Sequence, residues 1–146
     1  MGLSCLFVDD DVAVLRAAKR YFVHRGHAVE LSQSATEARA KAGPFDCVIL
    51  DIDLASESGL VLAQEFPTSR ASCIVFYSGT TDPEVRLRAT ELGTFVSKEG
   101  GLHTLARVVE SVVEEAEELA RAAGGERGIV GASSNPRMES GFRKKR

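Results

Sequence analysis

The sequence has 146 residues, of which 44% are hydrophobic and 27% charged, an ordinary balance for a globular protein. No apolar stretch approaches the roughly 20 residues of a membrane-spanning helix, and nothing resembles a signal peptide, so we expect a cytoplasmic protein without membrane contact. The net charge of −3 is uneven: residues 1–123 carry 19 acidic and 12 basic side chains (net −7), whereas residues 124–146 carry 2 and 6 (net +4).

Hydrophobic periodicity predicts five strands that alternate with five helices. The predicted strands are residues 3–8, 28–31, 47–50, 73–77 and 94–97. The predicted helices are residues 11–25, 34–42, 58–66, 82–92 and 102–123. This alternation indicates an α/β protein with a doubly wound five-stranded parallel sheet flanked by helices.

Individual residues support these elements. Cys47–Leu50 is apolar throughout, which is typical of a strand buried on both faces. Asp11 and Ser34 are well placed to cap helices, and an apolar stripe in the last helix extends to Leu119. The three cysteines lie in apolar runs without metal-ligand spacing, so we expect reduced core thiols, and we expect the three histidines at the surface.

The sequence changes character after Ala123. Glycine and serine become frequent, and the chain ends in the basic cluster Arg143–Arg146. We therefore expect one domain over residues 1–123 and a flexible basic tail over residues 124–146. Four charges without interleaved aromatic residues are a weak signal for nucleic acid, so we expect no direct DNA binding.

Charged and polar side chains follow four of the five predicted strands. The carboxyl ends of parallel strands meet at one edge of a sheet, where ligands bind in this class of fold. The residues that stand there are Asp9, Asp10, Asp51, Asp53, Ser78, Gly79 and Lys98. Clustered carboxylates favour Mg²⁺. An ammonium and a hydroxyl opposite them would hold phosphoryl oxygens, and a central carboxylate could form an acyl phosphate.

Four stretches carry a specific resemblance to a known family. They are Leu6–Arg16 (LFVDDDVAVLR), Asp51 with Gly59 eight residues later, Phe76–Gly79 (FYSG) and Phe95–Lys98 (FVSK). Over roughly residues 3–123 the chain resembles the receiver domain of two-component response regulators. The resemblance implies a flavodoxin-like (βα)5 fold and a signalling domain rather than an enzyme.

The resemblance also implies the role of each site residue. Asp51 would be the phosphoacceptor, charged by a sensor histidine kinase or a phosphotransfer protein. Magnesium would be held by Asp9, Asp10, Asp51 and the backbone carbonyl of Asp53. The phosphoryl group would be bound by Ser78, Gly79 and Lys98. Ser78 and Phe95 would form the switch, and Asp53 and Thr80 would modulate phosphate lifetime.

The expected output is protein contact. Twenty-three residues after the domain are too few for an output module of about 60 residues, so we expect a stand-alone receiver. It would bind a downstream target, or a second copy through helix 4, strand 5 and helix 5. Two alternatives are a phosphorylation-independent adaptor and a haloacid-dehalogenase-type phosphatase. The second is disfavoured because Asp9 and Asp10 precede Asp51 instead of following it.

Two positions depart from the family pattern. Glu99 replaces the proline that usually follows the lysine, and Ala55 replaces another proline four residues past the phosphoacceptor. A cis bond without proline costs about 2.5–4 kcal/mol, so we expect a trans bond after Lys98. This change allows a shift of the Lys98 loop.

Overall fold

The computed structural model of the protein describes residues 2–130, with side chains through residue 124. Five strands and five helices alternate, as predicted. The strands are β1 (Ser4–Val8), β2 (Ala28–Ser32), β3 (Phe45–Leu50), β4 (Ala71–Ser78) and β5 (Thr94–Ser97). The helices are α1 (Val12–His24), α2 (Ala35–Arg39), α3 (Gly59–Ala63), α4 (Pro83–Leu92) and α5 (Gly101–Val130). A short 3₁₀ turn, Lys98–Gly100, leads into α5.

The five strands form one parallel sheet in the order β2-β1-β3-β4-β5. The two central neighbours β1 and β3 end together, because Val8 is in register with Leu50. The strand order changes direction at β1, which places the carboxyl ends of β1 and β3 at the topological switch point. The fold class is therefore the predicted doubly wound, flavodoxin-like sheet.

Both faces of the sheet are buried. In β3, Val48 and Leu50 join one core cluster with residues of α2, α3 and α4, whereas Cys47 and Ile49 join a second cluster with residues of α1 and α5. All four side chains are at most 1% exposed. This double coverage is why β3 is apolar from Cys47 to Leu50.

The three cysteines lie in one row across the sheet. Cys5 of β1 is in register with Cys47 of β3, which is in register with Cys73 of β4. Cys5 and Cys47 are buried, and Cys73 is part-buried, so the first two are core thiols as predicted. Burial raises the pKa of Cys5 to about 12 and raises that of Cys47 as well.

Polar side chains cap four helices. The Asp11 carboxylate accepts from the Ala13 amide at 2.9 Å, which confirms the cap predicted for α1. Ser34, Ser58 and Asp82 cap α2, α3 and α4 in the same way. Each cap satisfies an amide that has no partner within its helix.

Two helices are shorter than predicted. Helix α2 ends at Arg39 instead of residue 42, because the Arg70 guanidinium donates to the carbonyls of Ala38, Arg39 and Lys41. Helix α3 ends at Ala63 instead of residue 66. Its last turn tightens into bonds between residues three apart, such as Phe66 N–H to the Ala63 carbonyl at 3.3 Å.

Helix α5 is longer than predicted. It continues through the glycines after Ala123 to Val130, because no proline interrupts it and each further residue adds a backbone hydrogen bond. Leu119, predicted as part of the apolar stripe, is 71% exposed, since the stripe is buried only as far as Val113. Residues 131–146, the rest of the predicted tail, lie outside the described residues. No helix within residues 2–130 is long and apolar enough to span a membrane.

One histidine corrects the surface prediction. His27 is 6% exposed and lies at the amino edge of the sheet. Its Nδ1 accepts from the Leu3 amide at 3.1 Å, so the ring proton is on Nε2, which donates to Glu110 Oε2 at 2.7 Å. Arg25 also donates to both oxygens of Glu110. These contacts, that of Arg25 first, lower the pKa of Glu110 to about 2.

Candidate functional site

Three carboxylates meet at the carboxyl edge of the sheet. Asp9 and Asp51 directly follow β1 and β3 and are 4% and 7% exposed, whereas Asp10 is exposed. One oxygen from each of the three lies within 4.8 Å of the others. These three side chains therefore lie close together at this edge of the sheet, as the sequence predicted.

Lys98, the first residue of the 3₁₀ turn after β5, contacts this cluster. Its Nζ donates to Asp9 Oδ2 at 2.9 Å and to Asp51 Oδ2 at 3.1 Å. Burial acts to lower the pKa of Lys98, but the two carboxylates outweigh it and the pKa is raised. The pKa of Asp9 is also raised, because its burial outweighs the hydrogen bond from Lys98. One ammonium thus faces three carboxylates, and the cluster lacks positive charge.

The loop that carries Lys98 lies beside the acidic cluster, although it lacks the proline that is usual in the family. Within residues 2–130 the one cis peptide is Gly43–Pro44, so the bond after Lys98 is trans, as predicted. The Ser97 hydroxyl accepts from the Glu99 amide at 3.1 Å and caps the 3₁₀ turn. The Lys98 ammonium contacts both buried carboxylates.

Gly59 holds the backbone of Asp51 in place. A Cβ at position 59 would lie 2.1 Å from the Asp51 carbonyl oxygen, far inside van der Waals contact. The Gly59 amide donates to the Ile52 carbonyl at 2.7 Å, and the Asp51 amide donates to Val8 at 2.9 Å. The eight-residue spacing noted in the sequence therefore reflects close packing of α3 against the end of β3.

Asp53 lies on the rim of the cluster. Its side chain is exposed, and its backbone pairs with Ser58 in an isolated antiparallel bridge. The Asp53 amide donates to Asp51 Oδ1 at 3.3 Å, which orients the central carboxylate. The roles predicted for Asp53, a carbonyl ligand and an influence on phosphate lifetime, remain predictions.

The end of β4 supplies the hydroxyl. Ser78 is fully buried, and its Oγ accepts from the Thr80 amide at 3.3 Å. A Cβ at Gly79 would meet no atom within 4 Å, so the space beside this residue is open.

Phe95 is part-buried on β5, in register with Phe76. The guanidinium carbon of Arg86 lies 4.9 Å from the centre of the Phe95 ring. Arg86 Nε also donates to the Thr80 carbonyl at 2.9 Å. Sequence analysis missed Arg86, and no local signal marks it, because both contacts are to residues outside its own helix.

A cleft of about 630 Å³ opens next to the cluster, between α3 and α4. Asp53 and Thr80 stand on its rim, and Leu60 and Val85 are among its apolar walls. Asp9 and Asp51 do not line it. The cleft and the acidic cluster are therefore neighbours that share a rim through the two positions predicted to affect phosphate lifetime.

The acidic cluster fits a magnesium ion. Mg²⁺ prefers carboxylate oxygens and keeps several waters, so one or two protein carboxylates with an open side suffice. Asp10 is exposed, whereas Asp9 and Asp51 are buried, which gives the cluster one open side and one closed side. A divalent cation would also balance the excess negative charge.

The fold and this edge define an α/β protein of flavodoxin-like class with an acidic pocket at its topological switch point. A sequence profile of the response regulator receiver domain matches residues 5–110. The chain belongs to the response regulator receiver domain family, a family of signalling domains that bind Mg²⁺ at an acidic pocket. Membership agrees with the chain-order argument against a phosphatase.

Relatives and solved structures agree with this assignment. The acid tolerance regulatory protein ActR of Rhizobium meliloti (strain 1021) is 44% identical over 59 residues, 39% of this chain and 30% of ActR. The regulatory protein VanRB of Enterococcus faecalis (strain ATCC 700802 / V583) is 26% identical over 83% of this chain and 57% of VanRB. The chain thus spans about a third to somewhat over half of the length of these relatives.

Two solved structures are similar over most of the chain. A CheY-like receiver domain protein from Methanospirillum hungatei JF-1 has a TM-score of 0.69 at 24% identity, covering 78% of this chain and 95% of that one. The response regulator TrrA from Thermotoga maritima, in complex with Mg²⁺ and BeF, has a TM-score of 0.65 at 25% identity, covering 73% and 96%.

Proposed function

We propose that this receiver domain accepts a phosphoryl group on Asp51 from a histidine kinase or a phosphotransfer protein. The observation that carries the proposal is the position of Asp51. Its carboxylate is buried between a second carboxylate, Asp9, and the ammonium of Lys98, at the end of the central strand β3. A nucleophile at this position has an ammonium nearby that can bind phosphoryl oxygens, and neighbouring carboxylates that can bind a cation.

The chemical step is transfer of a phosphoryl group between two nucleophiles. The N–P bond of a phosphohistidine breaks, and an O–P bond forms to a carboxylate oxygen of Asp51. The histidine nitrogen keeps the electron pair of the broken bond and takes up a proton. The nucleophile in this step is a carboxylate oxygen.

The neighbouring groups stabilise charge on the transferred phosphoryl oxygens. Mg²⁺, held by Asp9, Asp10, Asp51 and the Asp53 carbonyl, supplies charge neutralisation when bound. The Lys98 ammonium, now shared by two carboxylates, would bind one phosphoryl oxygen. The hydroxyl of Ser78 and the amide of Gly79 would bind others. Asp53 and Thr80, at the rim, would control how water reaches the acyl phosphate.

Signalling would follow through protein contacts. Ser78 would turn toward the phosphoryl group and Phe95 would move inward, which changes the face formed by α4, β5 and α5. This face exposes Leu87, which is 61% exposed on α4. A downstream target or a second copy of the chain would bind there, with the acidic domain of residues 1–123 as the functional unit.

Intact mass after incubation with acetyl phosphate and Mg²⁺ tests the proposal. The expected result is a gain of about 80 Da in the wild type and no gain in Asp51→Asn. Asp11→Asn is the matched control, because Asp11 is an exposed carboxylate next to the cluster and asparagine caps a helix about as well. This control should take up phosphate like the wild type.

Two results would contradict the proposal. One is a mass gain that persists in Asp51→Asn, which would place the phosphoryl group elsewhere. The other is no gain in the wild type although isothermal titration shows that Mg²⁺ binds. That second result would favour a receiver that acts as a phosphorylation-independent adaptor.

A further inference from the structure

The peptide unit of Thr80 is held from two sides. Its amide donates to the buried Ser78 hydroxyl at 3.3 Å, and its carbonyl accepts from Arg86 Nε at 2.9 Å. Its own hydroxyl accepts from the Asp82 amide at 3.3 Å. The loop between β4 and α4 is therefore fixed by a side chain of the strand before it and a side chain of the helix after it.

The same arginine also contacts the aromatic residue of the proposed switch. The Arg86 guanidinium stacks over the Phe95 ring at 4.9 Å, within the range of a cation–π interaction. Arg86 and Phe95 are both part-buried, so solvent screens these contacts only partly. One side chain thus joins the loop that follows Ser78 to the ring on β5.

We propose that Arg86 is a positioning residue that holds Ser78, Thr80 and Phe95 in the arrangement described here and so limits how readily Asp51 takes up a phosphoryl group. The proposal rests on the function proposed above, because it concerns the same site. In the proposed switch Ser78 turns toward the phosphoryl group, and this rotation carries its Oγ away from the Thr80 amide. The Arg86 bond to the Thr80 carbonyl opposes movement of the loop.

Phe95 is restrained in parallel. Inward movement of the ring would take it away from the guanidinium, and the stacking contact would be lost. Arg86 therefore couples the two movements, since one side chain contacts both the loop and the ring. The arginine restrains the switch without contacting Asp51 or its phosphoryl donor.

Three variants on α4 test this role. Arg86→Gln removes both the cation and the Nε donor, whereas Arg86→Lys keeps a cation for the ring and loses the guanidinium geometry. Arg88→Gln is the matched control, because Arg88 is an exposed arginine on the same helix. For each variant one measures the initial rate of phosphorylation by acetyl phosphate, the thermal midpoint and amide hydrogen exchange over residues 79–82 and 94–97.

We expect Arg86→Gln to raise the phosphorylation rate roughly threefold to tenfold, the scale of losing one hydrogen bond of ordinary net strength. Arg86→Lys should give a smaller increase, and Arg88→Gln none. Exchange should accelerate in both segments of Arg86→Gln at a thermal midpoint close to that of the wild type. A purely structural role for Arg86 would instead lower the midpoint and the rate together.

An Arg86→Gln rate equal to or below that of Arg88→Gln would overturn the proposal. A wild type without phosphate uptake would contradict the function of Asp51 and leave hydrogen exchange to decide the role of Arg86. In that case, faster exchange confined to the Thr80 loop and β5 supports the restraint, and unchanged exchange overturns it.

Discussion

The two edges of the sheet each carry a cluster of ionisable residues, but their charges balance differently. At the amino edge, one carboxylate, Glu110, receives hydrogen bonds from Arg25 and His27. At the carboxyl edge, one ammonium, Lys98, is shared by Asp9 and Asp51, and Asp10 adds a third carboxylate. The first cluster is satisfied by this chain alone, whereas the second has an excess of negative charge.

This difference separates stability from function. A carboxylate whose hydrogen-bond partners all come from the chain itself has no place for a ligand. A cluster of carboxylates that lacks positive charge favours a cation. The amino edge ties β1, β2 and α5 together, and the carboxyl edge keeps unsatisfied charge available for a ligand.

Removing the cation of the functional edge should give the largest effect. Lys98→Gln should slow phosphorylation of Asp51 about 10²–10³-fold, the scale of losing one donor to a developing oxyanion. The rate is measured by intact mass against acetyl phosphate. Lys41→Gln is the control, because Lys41 makes only a long surface ion pair with Glu30 at 3.9 Å. Equal rates in Lys98→Gln and wild type would show that phosphorylation of Asp51 does not depend on the Lys98 ammonium.

A pair of glycines tests whether backbone packing positions the nucleophile. Gly59→Ala should destabilise the protein by about 1–3 kcal/mol, because the new Cβ would overlap the Asp51 carbonyl and force it to move. Gly79→Ala should change the free energy of unfolding by less than about 0.5 kcal/mol, because its Cβ enters open space. Urea denaturation of both variants measures the contrast. Equal costs would refute the packing argument.

The balanced edge should show a smaller, pH-dependent effect. Glu110→Gln should lower the free energy of unfolding by about 1–2 kcal/mol at pH 7, a figure reduced for the 31% exposure of this side chain. The folded pKa of Glu110, about 2, lies below its ordinary 4.5, so the stabilisation is present above about pH 4.5. It should disappear as pH falls toward 2.

Denaturation curves of wild type and Glu110→Gln between pH 2 and pH 7 measure how the free energy of unfolding depends on pH. Glu114→Gln, an exposed carboxylate on the same helix, is the control and should follow the wild type. A difference between Glu110→Gln and wild type that stays constant with pH would rule out ionisation of Glu110 as its source.

Much of the carboxyl edge could be predicted from the sequence because its signals are local. A charged residue directly after an apolar strand is visible in the chain, and parallel topology brings such strand ends together. Asp9, Asp51 and Lys98 were found in this way, although Asp9 and Asp51 lie 89 and 47 residues before Lys98 in the chain. The helix caps Asp11 and Ser34 are equally local, and they were predicted for the same reason.

The remaining features depend on contacts that no local pattern reveals. The early end of α2 requires Arg70, which lies 31 residues away from the Arg39 carbonyl that it binds. Burial of His27 requires Glu110, 83 residues later. Arg86 looks like any surface arginine until Phe95 is placed beside it. Long side chains with distant partners are therefore the part of this molecule that sequence alone leaves open.

The buried cysteines of the sheet allow opening of the structure to be followed by thiol labelling. Cys5 and Cys47 are 1% and 0% exposed, and a pKa of about 12 for Cys5 leaves roughly one thiolate in 10⁴ at pH 8. A water-soluble alkylating reagent can therefore reach these two thiols only when the centre of the sheet opens. The labelling rate reports the free energy of that opening directly, without a dye or an engineered probe.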